Sequence, residues 1–268
     1  MTQSVRRLWL IRELLKENSA YNDVEIPSDE QGQRILLRAL MNVRMPQRIS
    51  DEFLKIQDEY LKELINENGI VELDELTKAQ EGIYLWQGDI TRLRVDAIVN
   101  AANSGMTGCY APNHRCIDNC IHSYAGIQLR LKCADIMARQ DCKEPTGKAK
   151  ITSAYNLPCR YVIHTVGPII SGRLSKRDCE LLASCYSSCL ELAAQNGLTS
   201  IAFCCISTGE FHFPNDRAAE IAVDTVKKFM QKESSVKKVV FNVFKDIDRE
   251  IYEGILKELS LIHISEPT

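Results

Sequence analysis

The chain has 268 residues, of which 45% are hydrophobic and 26% charged, fractions that are ordinary for a globular protein of one large or two modest domains. Its net charge of −3 argues against a protein that binds nucleic acid non-specifically by neutralising phosphates. No segment approaches the roughly 18 consecutive apolar residues of a membrane span. Charged residues also interrupt the first apolar run, which argues against a secretory signal peptide, so we expect a cytoplasmic protein.

Residues 1–78 are predicted to form a helical extension, because apolar residues recur in them at helical spacing. After a first helix, a second is expected to begin at an N-cap on Ser28 and to end at Pro46. A third is expected to run from a cap at Ser50 to Asn68-Gly69. We identify no chemistry in this segment, so we interpret it as an appendage packed on the main domain, with a partner-binding module as the alternative.

From about residue 80 the sequence alternates between short apolar runs and helical stretches, which favours α/β layers with helices on both faces of a sheet. The predicted strands lie at 83–86, 97–100, 161–165, 200–205 and 238–244. The predicted helices lie at 117–139, 178–196 and 215–232.

The last eight residues, 261–268, follow a helix that is expected to end near Leu259, and they match no period. We interpret them as a tail that is either disordered or not native to the protein. His263 is therefore excluded as a functional candidate.

The eleven cysteines are odd in number and lie between residues 109 and 205, whereas a disulfide framework would be denser and paired. Most are interpreted as small buried apolar residues. Only Cys109 and Cys116 share a loop with a nearby histidine, His114.

This loop, residues 108–118, has the form Cys109-x4-His114-x-Cys116 and begins where an apolar strand ends, the usual place for a ligand in an α/β protein. Thiolate and imidazole are the ligands that Zn²⁺ prefers. Three ligands without a second pair indicate an open coordination position, as in catalytic zinc sites. The alternative is two buried cysteines and a surface histidine. Cys120 and His122 are rival fourth ligands that we expect to point away.

Polar residues follow the strands elsewhere. Asp89 either accepts hydrogen bonds from an exocyclic amine such as that of adenine, or caps a turn. In Asn100-Ala101-Ala102-Asn103, small alanines let a ligand approach the backbone and asparagine amides can bond sugar hydroxyls, with a tight turn as the alternative. In the loop at 207–214, Gly209 frees the backbone to turn, and Ser207, Thr208 and successive amides can cradle a diphosphate.

Two further histidines are not assigned to catalysis. His164 lies at the end of a predicted strand and is interpreted as a hydrogen-bonded core residue. His212 is interpreted as structural. The role of Asp118, at the start of a predicted helix, stays open between a helix cap, an acid that orients a ligand, and a base.

Four motifs in this chain are similar in order and spacing to those of the macrodomains, which are ADP-ribose-binding α/β/α modules. The motifs lie at 87–91, 96–103, 163–168 and 207–214, and the resemblance covers about residues 80–258. It implies a three-layer macrodomain with a central mixed sheet over residues 79–260. The cysteine/histidine loop and the helical extension also resemble one branch, the zinc-dependent bacterial macrodomains that remove ADP-ribose from proteins.

The resemblance implies a zinc ion as cofactor, held by Cys109, His114 and Cys116. It also implies that Phe211 borders the distal ribose and that Glu210 replaces a glycine usual in this loop, as in the zinc branch. The expected catalytic groups are Asn103, Asp118 and a water bound to the zinc. The expected substrate-binding residues run from the adenine end to the distal ribose and diphosphate: Asp89, Ile90, Asn103, Ile117, Asp118, Ser207, Thr208, Gly209, Glu210 and Phe211.

We therefore expect a hydrolase that cleaves mono-ADP-ribose from a protein side chain at the anomeric carbon of the distal ribose. Zinc with an open position can act as a Lewis acid or lower the pKa of bound water towards about 7. The resemblance further implies a lipoyl-carrying substrate similar to the glycine-cleavage H protein and modified on an acidic side chain, because the branch is typically encoded beside such a carrier and a sirtuin-type ADP-ribosyltransferase. The alternatives are a reader that binds ADP-ribose without hydrolysis, and a phosphatase acting on ADP-ribose derivatives.

Overall fold

The computed structural model describes residues 1–265, with the backbone alone over 258–265. Three helices come first: α1 (Gln3–Lys16), α2 (Glu30–Val43) and α3 (Asp51–Asn68). Strands and helices then alternate: β1 (Val71–Glu72), β2 (Lys78–Gln80), β3 (Ile83–Gln87), β4 (Leu93–Arg94), β5 (Ala97–Ala101), α4 (Ile117–Ala125), α5 (Ile127–Gln140), β6 (Ala149–Ser153), β7 (Tyr161–Thr165), α6 (Lys176–Gln195), β8 (Ser200–Phe203), α7 (Asn215–Met230), β9 (Lys238–Val243) and α8 (Asp246–Ser265).

The helix caps in the N-terminal extension agree with those predicted from the sequence, except at the start of α2. Helix α2 is capped by Asp29 and not by Ser28, because the Asp29 carboxylate accepts the Gly32 amide at 2.8 Å. It ends at Val43, three residues before Pro46. Helix α3 is confirmed at both ends. The Ser50 hydroxyl accepts the Phe53 amide at 3.1 Å, and Gly69, with φ 80°, follows the last helical residue.

The prediction of a single helix at 117–139 is wrong, because the helix is interrupted at Gly126 and forms two helices, α4 and α5. Gly126 has φ 97°, a region that side chains with a Cβ rarely adopt. A Cβ there would also lie 2.7 Å from the Gln57 side chain of α3. The break therefore lets the extension approach the backbone closely.

The last helix also differs from the expectation, because α8 continues past Leu259 to Ser265. Residues 266–268 lie outside the described residues. The interpretation of 261–268 as disordered or non-native stays a prediction.

The main sheet has seven strands in the order β2-β3-β9-β8-β5-β7-β6. The five central strands are parallel, and β2 and β6 pair antiparallel at the edges. This is the expected mixed sheet, flanked by helices. The edge strands β2 and β6 and the small pair β1–β4 were missed in the sequence, because they are short or carry polar residues.

Two hydrophobic cores lie in the described chain. One surrounds the sheet, and the other joins α1, α2 and α3 through residues such as Leu10, Leu37 and Phe53. Ile127 of α5 packs in the second core, so the extension is docked on the α/β domain. Among the described residues, no helix is long and apolar enough to cross a membrane. The expected cytoplasmic location stays a prediction.

Parallel strands end at one edge of their sheet, so the loops that follow them lie together. The five parallel strands end at Gln87, Ala101, Thr165, Phe203 and Val243. Every segment that the sequence singled out for chemistry begins within about six residues of one of these ends or lies in the loop that follows it. The fold therefore assembles the predicted site at this edge.

Candidate active site and metal centre

The cysteine/histidine loop brings its three candidate ligands together. One ligand atom from each of Cys109, His114 and Cys116 lies within 4.8 Å of the other two, and Cys109 Sγ is 3.5 Å from His114 Nδ1. Zinc bonds of about 2.0–2.3 Å place tetrahedral ligands about 3.5 Å apart, so these donors fit zinc. All three side chains are half-buried. Among the described residues, Cys120 and His122 do not join this group, as expected.

Local backbone geometry shapes the loop. Gly108 (φ 84°) and Asn113 (φ 56°) both take left-handed conformations. A Cβ on Gly108 would lie 2.8 Å from the His122 ring, so the loop can pass α4 this closely only at a glycine. Cys116 then caps α4, because its sulfur accepts the Asn119 amide at 3.4 Å. One ligand thus also begins the helix that carries Asp118.

Asn119 supports the loop from inside. Its side chain is fully buried and donates to the carbonyl of Ala111 at 3.0 Å and of Cys109 at 3.3 Å. Burial, with the neighbouring Cys109 sulfur, raises the pKa of the Cys116 thiol against the opposing hydrogen bond from the Asn119 amide. Without a metal this sulfur is therefore a neutral thiol near neutral pH, and a metal bound here would displace its proton.

The phosphate-loop candidate contacts the same centre. Glu210 Oε1 lies 3.7 Å from His114 Nε2, the ring nitrogen opposite to the one that faces Cys109. A carboxylate in this position can orient a metal-binding imidazole. Glu210, which belongs to the loop at 207–214, therefore also contacts the cysteine/histidine loop.

Asp118 is a buried carboxylate held by two asparagines. Asn100 Nδ2 donates to Oδ1 at 2.8 Å, and Asn103 Nδ2 donates to Oδ2 at 3.1 Å. Burial raises the pKa of Asp118 to about 6, against the lowering effect of these bonds. Because Cys116 is the cap of α4, the cap role of Asp118 is excluded and the roles of orienting acid and base remain.

His164 fixes Asn100 from behind. Its Nδ1 lies 3.1 Å from Asn100 Nδ2, and its Nε2 lies 2.9 Å from Thr152 Oγ1. The amide can only donate, so Nδ1 accepts and the proton sits on Nε2. Burial lowers the pKa of His164 to about 3, so the ring is neutral. This is the hydrogen-bonded core histidine expected from the sequence.

A second group of candidate ligands, His122, Cys133 and His164, lies buried behind Asp118. With the proton of His164 on Nε2 and donated to Thr152, this nitrogen has no lone pair for a metal. The group is therefore a poorer metal site than the loop. His122 Nε2 lies 3.6 Å from Asp118 Oδ1, which makes His122 a neighbour of the carboxylate.

At the end of β3, Asp89 caps the short turn that follows. Its Oδ1 accepts from the Thr91 amide at 3.0 Å and from the Thr91 hydroxyl at 2.6 Å. Within the described chain, its other oxygen makes no hydrogen bond, so the cap and a ligand contact are compatible. Ile90 is 1% exposed, so its side chain is not available to a ligand.

An exposed aromatic residue that was not predicted as a site residue lies near Asp89, beside the end of β3. Phe244 directly follows β9 and is 76% exposed. The Phe244 carbonyl accepts a hydrogen bond from Gln87 Nε2 at 3.3 Å, and the Gly88 amide donates to the Val243 carbonyl at 3.0 Å. These bonds hold Phe244 beside the end of β3. The signal was present, since Phe244 ends the apolar run 238–244 and so falls at a strand end.

The loop after β8 is tightly folded. Ser207 has φ 66°, and its carbonyl accepts the Phe213 amide at 2.9 Å, while the His212 amide bonds Gly209 at 3.0 Å. A Cβ on Gly167 would lie 2.0 Å from Ser207 Oγ, so the loops after β7 and β8 touch. Exposed at the tip are Gly209 and Glu210, and His212 is exposed at the turn.

Other residues that contact the cysteine/histidine loop gave no signal in the sequence, because each lies far along the chain from the residues that it bonds. Arg130 of α5 bonds Thr107, Cys109 and the end of α2, while Arg38 and Asn42 of α2 bond the loop itself. Asn119 was overlooked because nothing distinguishes it from a surface residue of an amphipathic helix.

Comparison with known proteins agrees with this architecture. A family model described as "Macro domain" matches residues 99–222. A protein-ADP-ribose hydrolase of Treponema medium is 60% identical over 260 residues, which cover 96% of this chain and 100% of that protein. A protein-ADP-ribose hydrolase of Staphylococcus aureus is 48% identical over 254 residues, which cover 94% of this chain and 95% of that protein.

Solved structures give the same result. A Trypanosoma brucei macrodomain in complex with ADP-ribose superposes with a TM-score of 0.65 and 29% identity, covering 86% of this chain and 97% of that one. An Oceanobacillus iheyensis macrodomain mutant with ADPR has a TM-score of 0.62 and 37% identity, covering 69% and 97%. The mixed sheet, the polar residues at the strand ends and the near full-length relatives all agree. The chain therefore belongs to the macrodomain family and, within it, to the group of the protein-ADP-ribose hydrolases.

Proposed function

We propose that this protein hydrolyses the bond between mono-ADP-ribose and a modified protein side chain with the help of a zinc ion at Cys109, His114 and Cys116. The observation that carries the proposal is the convergence of two features on one strand end. Three zinc-type ligand atoms lie within 4.8 Å of one another, and a buried carboxylate, Asp118, lies two residues beyond the last ligand.

ADP-ribose fits along the edge formed by the strand ends. The adenine lies at Asp89, with the free carboxylate oxygen near its amine, the Ile90 backbone beside it and the exposed Phe244 ring available for stacking. The diphosphate lies over Ser207, Thr208, Gly209, Glu210 and Phe211, where backbone amides can bind it. The distal ribose then falls at Asn103, Ile117 and Asp118, next to the metal loop.

Asp118 is suited to move a proton. Burial raises its pKa to about 6, so it can take a proton from water, or give one, near neutral pH. Asn100 and Asn103 fix both of its oxygens, and Asn103 also donates to the Gly108 carbonyl at 3.0 Å. A bound zinc ion supplies Lewis acidity at the distal ribose or a water of lowered pKa. Positioning of the anomeric carbon between these groups accounts for much of the expected rate.

The finer identity of the substrate rests on the resemblance alone. The zinc branch is associated with a lipoyl carrier similar to the glycine-cleavage H protein, and we propose such a carrier, modified on an acidic side chain, as the substrate. Turnover of an ADP-ribosylated carrier should exceed that of an unrelated protein modified on the same side-chain type.

Substitution of the ligands tests the role of the metal. We expect Cys109→Ala and His114→Ala to abolish release of ADP-ribose from a mono-ADP-ribosylated protein while ADP-ribose itself still binds, because the adenine and diphosphate contacts remain. If both variants hydrolyse normally and only unfold at a lower temperature, the metal is structural and the proposal is wrong. A product of inorganic phosphate instead of intact ADP-ribose would identify a phosphatase, and binding without turnover a reader.

A further inference from the structure

Helix α2 of the N-terminal extension holds the peptide that carries His114 from both sides. Asn42 Oδ1 accepts the backbone amide of Asn113 at 2.9 Å. Arg38 Nη2, one turn earlier on the same helix, donates to the backbone carbonyl of His114 at 2.8 Å. The two contacts enclose the Asn113–His114 segment, and both come from a part of the chain more than 70 residues away.

Asn42 has no other orientation available. The side chain is 1% exposed, and its Nδ2 donates to Ser123 Oγ at 2.8 Å, which in turn donates to the Asn119 carbonyl at 2.7 Å. With the donor end used by Ser123, the oxygen must face the Asn113 amide. The contact with the loop is therefore fixed by the packing of α2 against α4.

The contact from Asn42 acts at a special backbone position, because Asn113 lies in the left-handed region with φ 56°. Asparagine adopts this region more readily than most non-glycine residues, and the hydrogen bond from its amide to Asn42 stabilises it there. The same residue immediately precedes His114, so its backbone conformation affects the position of the His114 backbone. Holding the Asn113 amide therefore helps to hold the backbone that carries one candidate ligand.

Two further links connect α2 with the loop. Arg38 Nη2 also donates to Asn119 Oδ1 at 3.0 Å, and Asn119 holds the carbonyls of Cys109 and Ala111. Arg130 is 5% exposed and donates to the last carbonyls of α2, with Asn42 O at 2.6 Å, and to Cys109 O at 3.3 Å. A cation at the carboxyl end of a helix is also favoured by the helix dipole.

From these contacts we infer that α2 is a structural part of the metal centre, with Arg38 and Asn42 as positioning residues that set the conformation of the loop at His114. The extension is then neither a passive appendage nor only a partner-binding module. The inference deepens the proposed zinc function, although the contacts themselves do not depend on a bound metal.

The test compares the full-length wild type with Arg38→Met and Asn42→Ala. Met keeps the aliphatic stem of Arg38 and removes its donors. The control is Arg34→Met, one turn earlier on α2, whose bonds go to Glu30 and Glu67 inside the extension. Amide hydrogen exchange over residues 109–116 is measured on metal-free protein, and zinc affinity by competition with a chromogenic chelator.

We expect both variants to exchange the amides of 109–116 at least about 10-fold faster than wild type, and to bind zinc about 10- to 100-fold more weakly, while Arg34→Met behaves as wild type. A thermal unfolding curve checks that Arg38→Met remains folded if Asn42→Ala does not. Wild-type exchange at 109–116 in a folded Arg38→Met protein overturns the inference. If exchange changes as expected but wild type binds no zinc, the positioning role stands and the proposed metal function fails.

Discussion

At the scale of single residues, the proposed chemistry depends on Asp118, a carboxylate whose burial raises its pKa to about 6. Its neighbours stabilise the charged carboxylate, because Asn100 and Asn103 donate hydrogen bonds to different oxygens. They are also fixed, since His164 and Thr152 lie directly behind Asn100. The arrangement resembles a general acid or base held in one orientation, and no residue of this chain in the loop at 207–214 offers an equivalent buried group.

Asp118→Asn should reduce release of ADP-ribose by at least about 100-fold, because the amide has a similar shape but cannot take up a proton. One amide hydrogen would also face a donor from Asn100 or Asn103, which should lower the free energy of unfolding by about 1–3 kcal/mol. The control is Asp224→Asn, an exposed carboxylate paired with Lys228 on α7. Turnover of the Asp118 variant within a few-fold of wild type would remove Asp118 from the catalytic group.

Phe244 gives a prediction that separates binding from folding. Because 76% of its side chain is exposed, Phe244→Ala should leave the melting temperature unchanged. Loss of stacking on the adenine should weaken ADP-ribose binding by about 1–3 kcal/mol, or roughly 5- to 150-fold. Titration with ribose 5-phosphate, which lacks the base, is the control. Equal losses for both ligands would mean that Phe244 does not contact the adenine.

At the scale of elements, hydrophobic periodicity predicted the central strands because they are buried on both faces and appear as continuous apolar runs. The edge strand β6, with the sequence Ala-Lys-Ile-Thr-Ser, alternates with polar residues and gave no such signal. The break between α4 and α5 was missed for a different reason. Gly126 is required by the approach of Gln57 from α3, a contact 69 residues distant that no local pattern contains.

Gly126→Ala should therefore lower the free energy of unfolding by about 1–3 kcal/mol, since the new Cβ meets both a positive φ and the Gln57 and Gln128 side chains. Gly254→Ala in α8 is a control of opposite sign. No atom lies within 4 Å of its Cβ position, so alanine should stabilise the helix by about 0.5–1 kcal/mol. Chemical denaturation of both variants measures the difference. If Gly126→Ala leaves the free energy of unfolding unchanged, the extension can move away from Gly126 without a cost in stability.

At the scale of the whole molecule, the sequence was enough to predict the residues of the candidate site but not the residues that hold its loop in place. Asp89, Asn103 and the cysteine/histidine loop all follow parallel strands, so their location at one edge of the sheet followed from the topology. The residues that hold the loop, Asn119, Arg38 and Asn42, are polar residues on helices. Asn119 bonds the loop from α4, whereas the contacts of Arg38 and Asn42 depend on the docking of the extension, which the sequence describes only as three amphipathic helices.

The proposed role of zinc is best tested by measuring the zinc content of the purified protein and its turnover of a mono-ADP-ribosylated protein, before and after treatment with a chelator. We expect about one zinc per chain, loss of ADP-ribose release when the metal is removed, and recovery when zinc is returned. Full turnover by metal-free protein would contradict the proposed role.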